Sequence, residues 1–121
     1  MAFRFEGLEI FQLAVDFAGL AYDLSRAFPK EEIFGLRANL RRAATSVALN
    51  IAEGAGRGTR REFAHYLDIA SGSVFETYAS FLIAVRLGYL RTVDVDPFKE
   101  SSDKLARKLN SFKRSLSGDK R

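Results

Sequence analysis

Several residue types are scarce in this chain, and each scarcity excludes a class of protein. The 121 residues include no cysteine, no tryptophan, two prolines and one histidine. Without cysteine there is no disulfide scaffold, thiol nucleophile, thiolate zinc site or iron–sulfur cluster. The single histidine, His65, excludes a metal site built from several imidazoles. Because 47% hydrophobic and 28% charged residues are ordinary values for a globular protein, we predict one folded domain over residues 1–121.

Long apolar runs are also missing. The longest uncharged runs are residues 43–52 and 77–85, about half of the roughly 18 residues that a membrane-spanning helix needs. The first nine residues carry three charges and no apolar core, so they do not resemble a signal peptide. We therefore predict a cytoplasmic protein with no membrane partner.

Apolar side chains recur at helical spacing in four stretches of the chain. The first covers about residues 8–27 and the second about residues 32–54. Phe28-Pro29 separates them, because the residue before a proline avoids helical angles, and glycines follow the second stretch, as is common at helix ends. The predicted core positions are Ile10, Ala14, Phe17, Ala21 and Leu24, then Ile33, Leu36, Leu40, Ala44, Val47 and Ile51.

Two further helices are predicted in the second half. One covers about residues 60–88, with Thr59 and Glu62 at the spacing of a capping box, and the other about residues 97–116, opened by Asp96-Pro97. No alternating strand pattern competes, so the sequence predicts an all-α, antiparallel up-down four-helix bundle. The core positions are Phe63, Leu67, Ala70, Val74, Tyr78, Phe81 and Val85, then Phe98, Ser102, Leu105, Leu109, Phe112 and Leu116.

Bulky side chains also occur outside these seams. Phe11, Val15 and Tyr22 lie beside the polar stripe of the first helix, and Tyr66 and Phe75 lie off the seam of the third. An outer helix of a monomeric bundle needs an apolar stripe only a little over 100° wide. We therefore expect identical copies to cover the remainder as a closed homo-oligomer; a monomer with an apolar face is the alternative.

Four polar residues share one face of the second helix. Arg42, Ser46, Asn50 and Glu53 are spaced by four, four and three residues. We interpret them as a structural polar network; the alternative is a small-ligand site near Asn50 and Glu53. Neither Glu53 nor His65 has a visible partner for general acid–base catalysis, so the chain is predicted not to be an enzyme and to need no cofactor or metal.

Positive charge is concentrated in the later part of the chain. Residues 37–121 hold sixteen basic and nine acidic side chains, whereas residues 1–36 have a net charge of −3. The planar fork of arginine binds two phosphate oxygens at once. We predict weakly sequence-specific binding to RNA or DNA backbone; solvated helix faces are the alternative. The candidate contacts are Arg37, Arg41, Arg42, Arg57, Arg60 and Arg61.

We predict that the glycine-rich run at residues 54–58 is a turn that ends the second helix. It follows a helix and lacks the lysine and hydroxyl that end a P-loop. Backbone amides at the start of the third helix are nevertheless placed to hold a phosphate, as helix N-termini commonly do.

A longer pattern carries a family resemblance. Ser46-Val47 followed by Asn50-Ile-Ala-Glu-Gly54 lies between Phe28-Pro29 and the pairs Glu62-Phe63, Tyr66-Leu67, Ile69-Ala70 and Gly72-Ser73, with Glu76 after them. With these residues the chain resembles the four helix bundle protein family, also called 23S ribosomal RNA intervening-sequence proteins, over about residues 11–116. It departs from that pattern at Ala48, where proline is common, and at Leu49, where a small polar residue is common.

The resemblance implies an up-down bundle that assembles as a ring, a pentamer. The family is also similar to the accessory variability determinant protein of diversity-generating retroelements, a positively charged pentameric barrel, which implies nucleic acid and a reverse transcriptase as partners. It implies no catalytic residue. The function predicted is therefore a non-enzymatic, oligomeric nucleic-acid-binding protein; the alternative is a protein-interaction scaffold without a nucleic-acid role.

Overall fold

The apolar positions at helical spacing become the inner faces of four helices. The computed structural model describes residues 3–118, and no strand occurs among them. Two 3-10 helices, Arg4–Gly7 and Lys30–Glu32, precede the first and second α-helices. The predicted all-α fold with four helices is confirmed. The helices are α1 (Glu9–Ser25), α2 (Leu36–Ala55), α3 (Arg60–Arg86) and α4 (Thr92–Leu116).

Contacts between helices fix the direction of each one. Phe17 of α1 packs on Phe98 of α4 with ring centroids 4.7 Å apart, while Glu9 lies 3.3 Å from the Lys108 ammonium. Residue numbers therefore rise along α1 as they fall along α4, and the two helices are antiparallel. Short connectors impose the same relation on the other neighbours, so the four helices pack as a bundle with two ends.

Each end of the bundle gathers a different set of connections. The upper end, as we call it, holds the α1–α2 connector (residues 26–35) and the α3–α4 connector (residues 87–91). The lower end holds the N-terminal 3-10 helix, the α2–α3 connector (residues 56–59) and the C-terminus of α4. The candidate arginines are divided between these two ends.

The core follows the predicted seams with a few exchanges. Phe17, Phe81 and Phe98 are fully buried and meet near the centre. Ser25 is also fully buried, at no polar cost because its hydroxyl donates to the Tyr22 carbonyl at 3.1 Å. The predicted core positions Leu24, Leu36, Tyr78, Val85, Phe112 and Leu116 are only partly buried, and Ile33 is exposed.

α2 begins four residues later than predicted. Lys30–Glu32 forms a 3-10 helix, and the backbone of Gly35 (φ −108°, ψ −115°) is not helical. The Glu32 carboxylate accepts a hydrogen bond from the Leu36 amide at 3.0 Å, so it satisfies one of the free amides at the start of the helix. Glu32, the first residue of the predicted helix, therefore lies before α2 and caps it.

α4 begins five residues earlier than predicted, at Thr92. The Asp94 carboxylate accepts from the Arg91 amide at 3.0 Å and stabilises this start, while Val95 extends the buried face by one turn. Pro97 therefore lies inside the helix, at its sixth residue, with its ring exposed. The prediction failed because Asp96-Pro97 has the sequence of a helix start, whereas burial of Val95 favours helix before it.

Some of the bulky side chains outside the core seams are covered by their own chain, and others are exposed. Phe11 packs edge-on against Phe5 of the N-terminal 3-10 helix at 4.8 Å, and Tyr22 is covered by the guanidinium of Arg41. These two side chains are therefore partly covered by their own chain, and the prediction that identical copies cover the rest stays a prediction. Val15 and Phe75 remain 48% and 63% exposed.

None of the helices in residues 3–118 has the length and apolar character that a membrane span requires.

Candidate nucleic-acid interface

The six candidate arginines form two clusters. Arg37, Arg41 and Arg42 lie in the first two turns of α2, whereas Arg57, Arg60 and Arg61 lie just beyond its other end. A helix of 20 residues is about 30 Å long. The two clusters therefore belong to opposite ends of the bundle and do not form one continuous patch within a single subunit.

Arg41 is bonded to other residues of the protein. Its Nε donates to the Ser25 hydroxyl at 2.9 Å and its Nη2 to the Tyr22 carbonyl at 3.1 Å, while the guanidinium lies 4.4 Å from the centre of the Tyr22 ring. The Tyr22 carbonyl is one of the last four in α1, which have no partner within the helix. Burial, with the charge of Arg37 next, lowers the pKa of Arg41 from its ordinary value.

The other two arginines of the upper cluster are less constrained. Arg42 is exposed and donates to the Asn39 side-chain oxygen at 2.8 Å. Arg37 is half-buried, and no carboxylate among residues 3–118 pairs with either of them. Arg42 thus has guanidinium donors free for an external anion.

The lower cluster is organised by Arg57. Its Nη2 donates to the Glu53 carboxylate at 2.8 Å and to the Tyr66 hydroxyl at 2.6 Å. The ion pair is half-exposed, so by itself it contributes little to stability. Its effect, with the Tyr66 hydroxyl, is to hold the guanidinium beside the Tyr66 ring, 5.0 Å from the ring centre.

Arg60 and Arg61 open α3 and are exposed. The N-cap predicted at Thr59 is present, since its hydroxyl oxygen accepts from the Glu62 amide at 3.1 Å. Neither arginine pairs with a carboxylate in the part of the chain that the structure describes. Both keep their full set of donors for a phosphate.

Arg4 joins this lower cluster, although it was not among the six candidate arginines. It lines a cavity of about 250 Å³ together with Arg57 and Arg60. Arg4 is the first residue of the N-terminal 3-10 helix, and a segment of four residues is too short to show a helical period in sequence. A basic residue in a short N-terminal segment carries no sequence signal of where it will pack.

The proposed polar face of α2 divides into three separate groups. The Asn50 amide donates to the Ser46 carbonyl at 2.8 Å and to its hydroxyl at 2.9 Å, and that hydroxyl lies 2.9 Å from the Ser73 hydroxyl of α3. Arg42 instead contacts Asn39, and Glu53 contacts Arg57. Ser46 and Asn50 are therefore brought together with Ser73, while the two charged residues turn elsewhere.

Gly54 explains the end of the family pattern in α2. A methyl group placed on its α-carbon would lie 2.7 Å from the Tyr66 Cβ and 2.9 Å from the Phe63 ring. The sequence suggested a helix-ending role, but the residue is buried within the last turn of α2. The absent side chain is what allows α2 and α3 to approach beside the Arg57 cluster.

The histidine of the chain lies in the first two turns of α3. His65 is exposed and meets the edge of the Tyr66 ring at 5.7 Å. Among the described residues no group of three metal-binding side chains occurs. At the start of α3, the Arg60 and Arg61 guanidinium groups are charged donors of the kind that bind oxyanions, beside the carboxylate of Glu62.

Comparisons with known proteins agree with this fold. The model of the 23S rRNA-intervening sequence protein family matches residues 6–111. A crystal structure of a protein of unknown function from the S23 ribosomal protein family of Bacteroides thetaiotaomicron superimposes with a TM-score of 0.79. It has 21% sequence identity, and the match covers 87% of this chain and 98% of that one. No curated protein matches the sequence.

Proposed function

We propose that this chain, which belongs to the 23S rRNA-intervening sequence protein family, is a non-enzymatic oligomeric protein that binds the backbone of RNA or DNA. The observation that carries the proposal is that Arg42, Arg60 and Arg61 are exposed without a carboxylate partner among residues 3–118. An exposed, unpaired guanidinium keeps both its charge and its forked donors for phosphate. The family is named for 23S rRNA, which favours RNA as the partner.

The division of the arginines between two ends shapes the proposal. Arg41 contributes charge but few donors, because they are occupied by Ser25 and Tyr22. Arg60 and Arg61 therefore provide the main contacts, with Arg57 held beside them by Glu53. Contacts of this kind position a phosphate backbone without reading its bases.

Salt dependence of binding tests this role. Each phosphate contact releases counterions, so the logarithm of the binding constant falls linearly with the logarithm of salt concentration. We expect labelled RNA to bind at about 50 mM salt and to be largely released by about 200 mM, measured by fluorescence anisotropy. Arg61→Ala should reduce the slope by about one.

Arg86→Ala is the matched control for Arg61→Ala. Arg86 is also exposed on α3, but it lies at the upper end and outside the candidate set. Its removal should leave the slope unchanged. Absence of binding to any RNA or DNA at low salt, or equal slopes for all three proteins, would overturn the proposal.

We also propose that identical copies assemble, with the pentameric ring as the arrangement that the family resemblance implies. Val15, Leu49, Phe75 and Leu82 are between 48% and 66% exposed, and such side chains are better covered by a neighbour. A ring would repeat the arginine clusters and add their attraction to a polyanion. Phe75→Glu with Leu82→Glu should shift sedimentation equilibrium toward monomer while circular dichroism still shows helix.

One observation favours a second candidate, a protein-interaction scaffold. The Phe34 side chain is 95% exposed in the α1–α2 connector, away from the lower cluster. The reverse transcriptase implied by the family resemblance is the first partner to test. Binding to it that is insensitive to salt and lost in Phe34→Ser would favour the scaffold over nucleic-acid binding.

A further inference from the structure

A cavity at the lower end of the bundle is walled by arginines from three separate segments. Arg4 belongs to the N-terminal 3-10 helix and Arg57 to the α2–α3 connector, while Arg60 is the first residue of α3. The cavity measures about 250 Å³, and its walls contain no carboxylate. The remaining lining residues are Ala55, Gly58, Thr59, Phe63 and Leu116.

The charge around this cavity is close to two positive units. Among the three lining arginines, Arg57 pairs with a carboxylate, that of Glu53, which offsets one of the three guanidinium groups. Arg4 and Arg60 are exposed and have no carboxylate partner in the described residues. At the rim, the Glu62 carboxylate accepts from the Thr59 hydroxyl at 3.3 Å, but Glu62 does not line the cavity.

Two positive charges match a particular kind of phosphate. A phosphate inside a nucleic-acid backbone carries one negative charge, whereas a phosphomonoester carries about −1.5 to −2 at neutral pH. A dianion with three free oxygens also offers more acceptors to guanidinium forks than a diester does. The N-terminus of α3 adds a partial positive charge at the rim.

We infer that this cavity binds a phosphomonoester, and that in a nucleic acid it holds the terminal 5′-phosphate. The inference rests on the proposed function, because it names the part of the nucleic acid that enters the cavity. Arg4 and Arg60 bind the phosphate oxygens directly. Arg57 is held by Glu53 and the Tyr66 hydroxyl, so its guanidinium is oriented before the ligand arrives.

The test compares two RNAs of the same sequence, one with a 5′-phosphate and one with a 5′-hydroxyl. We expect the intact protein to bind the phosphorylated RNA roughly tenfold more tightly, the effect of one charge-assisted contact. Arg4→Gln and Arg60→Gln should each reduce this ratio toward one. Arg86→Gln, which removes the same charge at the upper end of α3, should leave the ratio unchanged.

Each outcome decides between the terminal phosphate and the backbone. A ratio of one in the intact protein, with salt-dependent binding of both RNAs, overturns the inference and leaves the proposed function standing. A ratio that survives both Arg4→Gln and Arg60→Gln, or that falls equally in Arg86→Gln, also overturns it.

A second arm covers the case in which neither RNA binds and the proposed function fails. Inorganic phosphate and adenosine 5′-monophosphate are titrated at constant ionic strength while amide resonances are followed. Saturable shifts at Gly58, Thr59 and Arg60 but not at Arg86 support a phosphomonoester site independent of RNA. Absence of saturable shifts overturns the site itself.

Discussion

At the upper end of the bundle Arg41 donates to Ser25 and Tyr22 and lies over the Tyr22 ring, whereas at the lower end Arg60 stands in a cavity wall without a carboxylate partner among the described residues. The two side chains are chemically identical. What differs is the helix end that each one meets. Arg41 lies against the C-terminus of α1, and Arg60 lies at the N-terminus of α3.

Helix polarity accounts for the difference. The C-terminus of a helix exposes carbonyl oxygens and a partial negative charge, so it binds a nearby cation within the protein. The N-terminus exposes amides and a partial positive charge, so it offers an arginine no backbone acceptor. Arg60 therefore keeps its donors for an external anion, whereas Arg41 uses its donors on the C-terminus of α1.

The largest effect is expected at Gly54, which keeps the lower end closed. Gly54→Ala places a methyl group 2.7 Å from the Tyr66 Cβ, so α2 and α3 must move apart. We expect a loss of about 3 kcal/mol in the free energy of unfolding, measured with urea. Gly72→Ala is the control, because nothing lies within 4 Å of that position; it should stabilise α3 by up to about 1 kcal/mol.

Arg41→Ala is expected to have the next largest effect, at the upper end. The change removes two hydrogen bonds and the contact with the Tyr22 ring, for a loss of about 2 kcal/mol in the free energy of unfolding. Chemical denaturation measures it. Unchanged stability would show that Arg41 is as free as Arg60, and the contrast between the ends would fail.

A smaller and pH-dependent effect is expected for Glu32→Gln. The Leu36 amide, then the Tyr89 hydroxyl at 2.8 Å, lower the pKa of Glu32 below its ordinary value of 4.5. Its stabilisation is therefore present above pH 4.5 and is lost as pH falls through the lowered pKa. Thermal unfolding of the intact protein should be more sensitive to acid than that of Glu32→Gln.

The hydrogen bond between Tyr89 and Glu32 also predicts a loss of stability at alkaline pH. Its hydrogen bond to Glu32 raises the pKa of Tyr89 above the ordinary value of 10.0, so this contribution is complete below pH 10 and is lost as pH rises through the raised pKa. Tyr89→Phe should remove the alkaline loss. Identical alkaline profiles for the two proteins would contradict the role assigned to this bond.

The smallest effect on stability is expected for Arg60→Ala. The side chain is exposed and makes no ion pair within the described residues, so the free energy of unfolding should change by no more than about 0.5 kcal/mol. Urea unfolding of this variant beside Arg41→Ala provides the comparison. A loss as large as that of Arg41→Ala would place Arg60 in the structural class.

The sequence predicts where the helices lie better than it predicts which arginines are bonded within the protein. The period of Leu40, Ala44, Val47 and Ile51 predicts a buried face, and all four are fully buried. Period alone does not reveal that Ser25 would accept from Arg41, sixteen residues later, because that contact depends on how two helix ends meet. The different roles of Arg41 and Arg60 became visible only with the connectors in place.

Two helix starts show the same limit. Glu32 is an acidic residue of the kind common in the first turn of a helix, yet it caps α2 from outside the helix. Asp96-Pro97 has the composition of a start, yet α4 already begins at Thr92 because Asp94 bonds to Arg91 and Val95 is buried. Local preference is worth tenths of a kcal/mol per residue, less than burial of one apolar side chain.

Pro97 has a consequence for how α4 opens. Proline lacks an amide hydrogen, so the turn between Thr92 and Pro97 is one helical hydrogen bond short. Opening this segment breaks fewer bonds than opening a turn near Leu105. In deuterated water, backbone amides before Pro97 should exchange by local fraying, while those around Leu105 should exchange only when the whole bundle unfolds.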